Sequence, residues 1–229
     1  MSLQIQQHPS PNFDKRGADV SVDMLVLHYT GMQSADIALD RLCDQQAEVS
    51  AHYFVEEDGS VRQLVDETHR AWHAGVSYWR GNSNINQRSI GIEIVNPGHE
   101  FGYREFTEEQ MISVISLCSE ILSRHDIPAR NIVGHSDVAP SRKTDPGELF
   151  DWQRLAKLGI GLWPTEAEIL EMDKDVVRGH LQTIGYDTND FPKAIRAFQR
   201  HYRGERVTGR IDAGTARLLT GLAMMMAET

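Results

Sequence analysis

Apolar residues recur along this chain with two different spacings. Met24 to Tyr29 (MLVLHY) is a near-continuous apolar run, the pattern of a strand buried on both faces of a sheet. Ser89 to Val95 (SIGIEIV) predicts a second strand, with Ile90, Ile92 and Ile94 on one face and Gly91 and Glu93 on the other. Ile132 and Val133 before Gly134 predict a third, short and buried. In SAHYFVEEDGSVRQLV, alternating apolar positions flank Asp58-Gly59, a hairpin signal. Helical spacing fills the intervals. Ile37, Leu39, Leu42 and Cys43 follow a cap at Ser34 or Asp36. Met111, Val114, Leu117, Cys118 and Ile121 follow the capping box that opens at Thr107 and closes at Gln110. A short helix is expected over 148–158, stopped by Gly159. Residues 1–22 are polar and turn-rich and read as an ordered arm or extended lead-in, and 66–88 as a long loop without regular structure, a length that in compact domains accompanies function.

After Gly159 to Thr165 the pattern changes to short helices without strands, expected near 166–172, 174–184, 190–203 and 213–226. The chain thus divides into an α/β domain over 1–162, with a central mixed sheet flanked by helices, and a small all-α domain over 166–229.

With 40% apolar and 24% charged residues, this is an ordinary globular composition. The net charge of −10 argues against nucleic acid as a partner, because a phosphate backbone needs a basic face. Cys43 and Cys118 form no CxxC pair and read as two buried free thiols. No apolar run is long enough for a transmembrane segment, and the first residues lack a signal-peptide core. A cytoplasmic location is expected if the chain begins as written, and a periplasmic or wall-associated one if a leader has been removed. Oligomeric state is not readable from the chain.

The chemistry concentrates in GHSDVAPSRKTDPG (Gly134 to Gly147), where His135, Lys143 and Asp145 lie in a segment bracketed by Pro140 and Pro146. Such a loop can be no more than a solvated turn. Imidazole and carboxylate on a loop stiffened by two prolines also suit a divalent metal. His28, at the end of the first strand, adds a second imidazole. Two His and one Asp, with a fourth position open to water, is the composition of a catalytic zinc site. Glu93, a lone acid in an apolar strand, is the candidate general base, and Lys143 could set a cation beside a developing oxyanion.

LVLHYT, SAHYFVEEDG, AWHAG, SIGIEIVN and GHSDVAPSRKTDPG, in this order, closely resemble the zinc-dependent N-acetylmuramoyl-L-alanine amidases of the AmpD-like class. That superfamily also contains animal peptidoglycan recognition proteins. The resemblance spans about residues 8–160. It implies zinc bound by His28, His135 and Asp145, catalysis by Glu93 and Lys143, and a substrate groove lined by His73, Asn96 and Arg142. His52 then reads as structural, and Trp72, Tyr78 and Trp79 as stacking surfaces or packing anchors. The implied partner is peptidoglycan or a muropeptide, and the implied reaction cuts the amide joining N-acetylmuramic acid to L-alanine. A recognition protein that binds without cutting is the alternative; the complete ligand and catalytic set disfavours it. Over 168–225, LQTIGY, AIRAFQR, VTGRID and TARLL resemble a three-helix peptidoglycan-binding domain, with a shorter loop after Tyr186 than that family carries.

Overall fold

A computed structural model of the protein describes residues 3–18, 20–168 and 173–227. The apolar runs form the middle of a six-stranded mixed sheet, as expected. Its strands are β1 (Ile5–Gln7), β3 (Met24–Tyr29), β4 (Tyr53–Val55), β5 (Val61–Gln63), β7 (Ser89–Ile94) and β8 (Ile132–Gly134), in the order β1-β5-β4-β7-β3-β8. The hairpin pair β4–β5 is antiparallel and every other neighbouring pair in the sheet is parallel. A separate antiparallel pair joins β2 (Phe13–Lys15) to β6 (His69–Ala71).

Register determines what meets at the sheet's carboxyl edge. His28 pairs with Glu93, Phe54 pairs with Glu93 from the other side, and Leu27 pairs with Gly134. Period-two alternation sends Leu25, Leu27, Ile90, Ile92 and Ile94 into one core, beneath α4 (Glu108–Arg124). That helix opens with the expected capping box. Thr107 Oγ1 accepts the Gln110 N–H at 3.1 Å, and Gln110 Oε1 accepts the Thr107 N–H at 3.0 Å. α1 (Ala35–Cys43), capped by Ser34, closes a smaller core over Phe54 and Leu64.

Met24 and Val26 point to the opposite face. They share a core with Val133, Ile85, Trp79 and the C-terminal helices α7 (Lys174–Ile184), α8 (Phe191–Tyr202) and α9 (Ala213–Ala227), through Leu181, Phe198 and Leu222. These helices agree with the expected spans. Of the helix expected at 166–172, residues 166–168 are not helical and 169–172 lie outside the described residues.

Three readings need correction. The arm over 1–22 contains β1 and β2. The loop over 66–88 contains β6 and α2 (Ile85–Arg88). Strands of three residues are too short for an alternation to show, and half-exposed His69 and Arg70 disguise β6 as loop. The helix over 148–158 shortens to α6 (Trp152–Lys157), because Asp151 caps it by accepting the Arg154 N–H. α3 (Gly98–Phe101) and α5 (His135–Val138) are single turns beside the site. Cys118 is a free buried thiol, pushed up to about 12 by burial, whereas the free Cys43 is half-buried. Among the described residues no helix is long and apolar enough to cross a membrane.

Candidate metal centre and active site

His28 and Glu93 come from adjacent parallel strands, while His135 is the first residue after β8 and the opening residue of α5. A Cβ at position 134 would lie 2.7 Å from Pro146 Cδ, so glycine lets the Asp145-Pro146 loop close over the strand end. The Ser136 N–H donates to the Asp145 carbonyl at 2.8 Å, tying the loop back to α5. Three side chains separated pairwise by 107, 117 and 10 residues in sequence converge by these means.

The hydrogen-bond pattern around them identifies the tautomers. Ser89 Oγ donates to the Ile85 carbonyl at 2.8 Å, so it accepts from His73 Nε2 at 3.1 Å. His73 Nδ1 is then a lone pair and accepts from His28 Nε2 at 3.1 Å. His135 Nε2 donates to the Ala74 carbonyl at 3.1 Å. Both imidazoles are thereby left with a bare Nδ1. These two nitrogens lie 2.9 Å apart, and Asp145 Oδ2 lies 3.0 and 2.9 Å from them. Three acceptors facing one another at these distances repel unless a cation sits among them. The separations approach the edge of about 3.3 Å expected of a tetrahedron with bonds near 2.0–2.1 Å. Burial, reinforced by His135, lowers the His28 pKa to about 4, so the imidazole is neutral, as a ligand must be. The residues fit a metal ion.

Glu93 opens onto the same cleft, a cavity of about 350 Å³ also lined by Lys143, Thr144, Tyr29 and Trp72. Its Oε2 is buried without a hydrogen-bond partner among the described residues. Burial, then the negative charge of Asp145, raises its pKa well above the usual carboxylate value, and Lys143 works in the opposite direction. A carboxyl of raised pKa with one oxygen free to a cleft is equipped to accept and return a proton.

The other residues singled out in the sequence divide. His73 borders the cleft, but its ring nitrogens are spent on His28 and Ser89. Arg142 also borders it and donates to the carbonyls of Val76, at 2.7 Å, and Ala74. Asn96 faces away: its amide donates to Arg104 O and accepts from the Gly98 N–H, which holds the turn carrying His99. His52 lies behind His73, its Nδ1 accepting the Gly91 N–H at 3.0 Å. Trp72 lines the cleft, half-exposed Tyr78 stands on the adjoining loop, and Trp79 is buried against Tyr186.

Two supporting groups were not anticipated. Ser89 shares the Glu93 face by period two, which is a signal the sequence carries. Asp137 does not announce itself: it is buried and accepts from the Gly134 N–H at 2.7 Å, Tyr186 OH at 2.6 Å and His201 Nδ1 at 2.7 Å. LQTIGY marks Tyr186 as part of a motif, but nothing local links it to the metal loop.

Comparison with known proteins agrees with this geometry. The family described as N-acetylmuramoyl-L-alanine amidase matches residues 18–148. The chain is 36% identical to the N-acetylmuramoyl-L-alanine amidase AmiD of Escherichia coli K12, an alignment covering 88% of this chain and 82% of AmiD. It is 34% identical to the 1,6-anhydro-N-acetylmuramyl-L-alanine amidase AmpD of Haemophilus influenzae, over 65% of this chain and 89% of that one. Among solved structures, E. coli AmiD in complex with anhydro-N-acetylmuramic acid-L-Ala-D-γ-Glu-L-Lys matches with a TM-score of 0.81 at 34% identity, covering 92% of this chain and 93% of AmiD. AmpDh3 of Pseudomonas aeruginosa matches with a TM-score of 0.82 at 32% identity, over 95% of each chain. Coverage at this identity, with a His-His-Asp centre at the sheet edge, puts the chain in the N-acetylmuramoyl-L-alanine amidase family.

Proposed function

We propose that this amidase is a zinc enzyme that cleaves the bond between the lactyl carboxyl of N-acetylmuramic acid and the amine of L-alanine, in peptidoglycan or its muropeptide fragments. The observation that carries the reading is the convergence of three proton-free ligand atoms beside the Glu93 carboxyl, whose Oε2 has no hydrogen-bond partner among the described residues. His28, His135 and Asp145 would hold the ion. Two imidazoles and one carboxylate favour zinc over the oxygen-seeking magnesium and calcium. When bound, zinc supplies Lewis acidity, acidifying water and polarising the amide carbonyl.

The chain's own groups do the rest. Glu93 accepts the proton of the attacking water, and its raised pKa lets it hold that proton until the C–N bond breaks and the amine takes it. Lys143 lines the cleft and offers its ammonium to the oxygen that gains charge. Arg142 steadies the cleft wall through the Ala74 and Val76 carbonyls, and His73 holds the His28 ring. Asn96 contributes by shaping the 97–104 turn. The E. coli and P. aeruginosa relatives whose solved structures hold anhydromuramyl peptides support the substrate class. We also propose that the chain divides as 1–162 and 166–229, the second unit being a three-helix peptidoglycan-binding module whose apolar core is continuous with that of the first.

Zinc-loaded protein incubated with muramyl peptides and with intact sacculi, its products read by mass spectrometry, tests the reading. The expected product is stem peptide beginning with L-alanine, absent after chelation. Glu93→Gln should keep stoichiometric zinc and lose about 100- to 10,000-fold in kcat, whereas Asp145→Ala should release the metal. Sacculus binding without cleavage would instead establish a recognition protein.

A further inference from the structure

Both imidazoles of the metal centre are oriented by acceptors that lead back to one short turn. His28 Nε2 donates to His73, whose ring is fixed in turn by Ser89 Oγ at 3.1 Å. His135 Nε2 donates to the Ala74 carbonyl at 3.1 Å. Ser89 stands directly after α2, and its hydroxyl is aimed by donating to the Ile85 carbonyl at 2.8 Å. Asn86, within α2, accepts the His73 and Ala74 N–H groups through Oδ1, at 3.2 and 2.8 Å. Two successive N–H groups converging on one oxygen fix the backbone of residues 73 and 74. The His73 ring and the Ala74 carbonyl both project from that backbone.

A single helical turn does not support itself, because its carbonyls have no partners within it. Arg16 supplies the partners for α2. Its Nη1 donates to the carbonyls of Asn86, at 3.1 Å, and Gln87, at 2.7 Å. Its Nη2 donates to the Ser89 carbonyl at 2.8 Å, and its Nε to the Glu67 carbonyl at 2.9 Å. A half-buried guanidinium that gives four hydrogen bonds to carbonyls serves through the fork of its donors. Burial lowers its pKa to about 10, so it keeps its charge at neutral pH. The arm also holds the other half of the contact. Arg16 follows β2, and β2 pairs with β6, the strand that runs on into His73 and Ala74.

We propose that Asn86 and Arg16 are positioning residues of the metal centre. Asn86 locks the 73–74 backbone to α2, Arg16 locks α2 to the arm, and together they set the ring orientation of both histidine ligands. The assignment rests on the metal-site reading above. It ties His28 and His135 to one support, and it gives the polar arm a part in the site.

The test uses the full chain and reads zinc binding and ring tautomers. Competition with a chromophoric chelator measures zinc affinity in wild type, Asn86→Ala, Asn86→Asp, Arg16→Lys and the double variant of Asn86→Ala with Arg16→Lys. Asn131→Ala removes a donor to the Asp23 carbonyl, next to the amino end of β3, and controls for lost stability alone. Asn86→Ala should weaken zinc binding about tenfold, the lower end of what such outer partners contribute. Asn86→Asp keeps the accepting oxygen and should stay near wild type. Arg16→Lys replaces the fork by one ammonium and should also weaken binding. The double variant should lose less than the two single losses combined, because both act through one turn. In the metal-free protein at neutral pH, long-range proton–nitrogen spectra should show His28 and His135 as Nε2–H tautomers in wild type. Asn86→Ala should give a tautomer mixture at His135. Wild-type affinity and tautomers in Asn86→Ala, an equal loss of affinity in Asn131→Ala, or additive losses in the double variant overturn the assignment and leave the metal site standing. A folded wild type that takes up no stoichiometric zinc overturns the metal reading and this assignment with it.

Discussion

His73 is the residue on which the geometry of the site turns. Its hydrogen bonds go to His28 and Ser89, and they decide which nitrogen of His28 is bare. Its ring lies flat over position 91, where an added Cβ would come within 2.4 Å of His73 Cγ. Partners of this kind typically contribute 10- to 100-fold to metal affinity. His73→Phe removes the acceptor for the His28 N–H while keeping the ring's bulk, so zinc affinity should fall by about that range. Gly91→Ala should do the same by displacing the ring, with the acceptor chemistry intact. Competition against a chromophoric chelator measures both, and unchanged affinity in the two variants would show that the ring orientation is held elsewhere. The residues expected to ligate and catalyse were visible in the sequence because each is an oddity where it stands: His28 and Glu93 in apolar strands, His135 and Asp145 in a proline-bracketed loop. The Ser89–His73–His28 relay was not, since a hydrogen bond across 45 residues leaves no local pattern.

At the scale of elements, one ionic hub ties the β4–β5 hairpin region to the end of α4. Glu67 accepts from Tyr53 OH at 2.7 Å, Arg124 NH2 at 2.8 Å and His125 Nε2 at 2.7 Å. Burial opposes its ionisation, but these bonds and the Arg124 charge outweigh it and lower its pKa to about 2. In the unfolded chain a glutamate titrates near 4.3. The unfolded state therefore binds the proton first as pH falls. The stabilisation is full above about pH 4.3 and is lost as the pH drops through 2. Urea unfolding of the metal-free protein should show wild type losing stability faster than Glu67→Gln over that interval, with the two curves converging toward pH 2. Parallel curves would mean that Glu67 titrates alike in both states. Long elements were legible because their periodicity repeats: the capping box, α4 and the central strands lie where their patterns predict. β1, β2 and β6 were not, because three residues cannot display a period and their register is dictated by partners distant in sequence.

On the scale of the whole molecule, the boundary read near residues 163–165 separates two patterns of sequence without separating two cores. Met24, Val26, Val133 and Ile85 on the sheet pack against Leu181, Phe198 and Leu222 from α7 to α9. Beneath the metal loop, Asp137 takes the Gly134 N–H on one side and Tyr186 and His201 on the other, so the turn that presents His135 is held from the C-terminal helices. A buried carboxylate deprived of one donor costs about 1–3 kcal/mol. Tyr186→Phe should lower the stability of the metal-free protein by that amount, and, on the proposed metal site, it should weaken zinc binding as well, because the loss falls on the strand end that presents His135. Removal of residues 163–229 has a larger consequence. It bares an apolar sheet face that a soluble monomer does not tolerate, and it leaves Asp137 with the Gly134 N–H as its remaining donor among those bonds. The 1–162 fragment should aggregate, or bind dyes specific for exposed apolar surface, and should fail to hold stoichiometric zinc. A monomeric fragment with sharp amide resonances and a full metal complement would mean that the C-terminal helices cover a face able to close by itself, and that the shared core is a docking contact between units that fold independently.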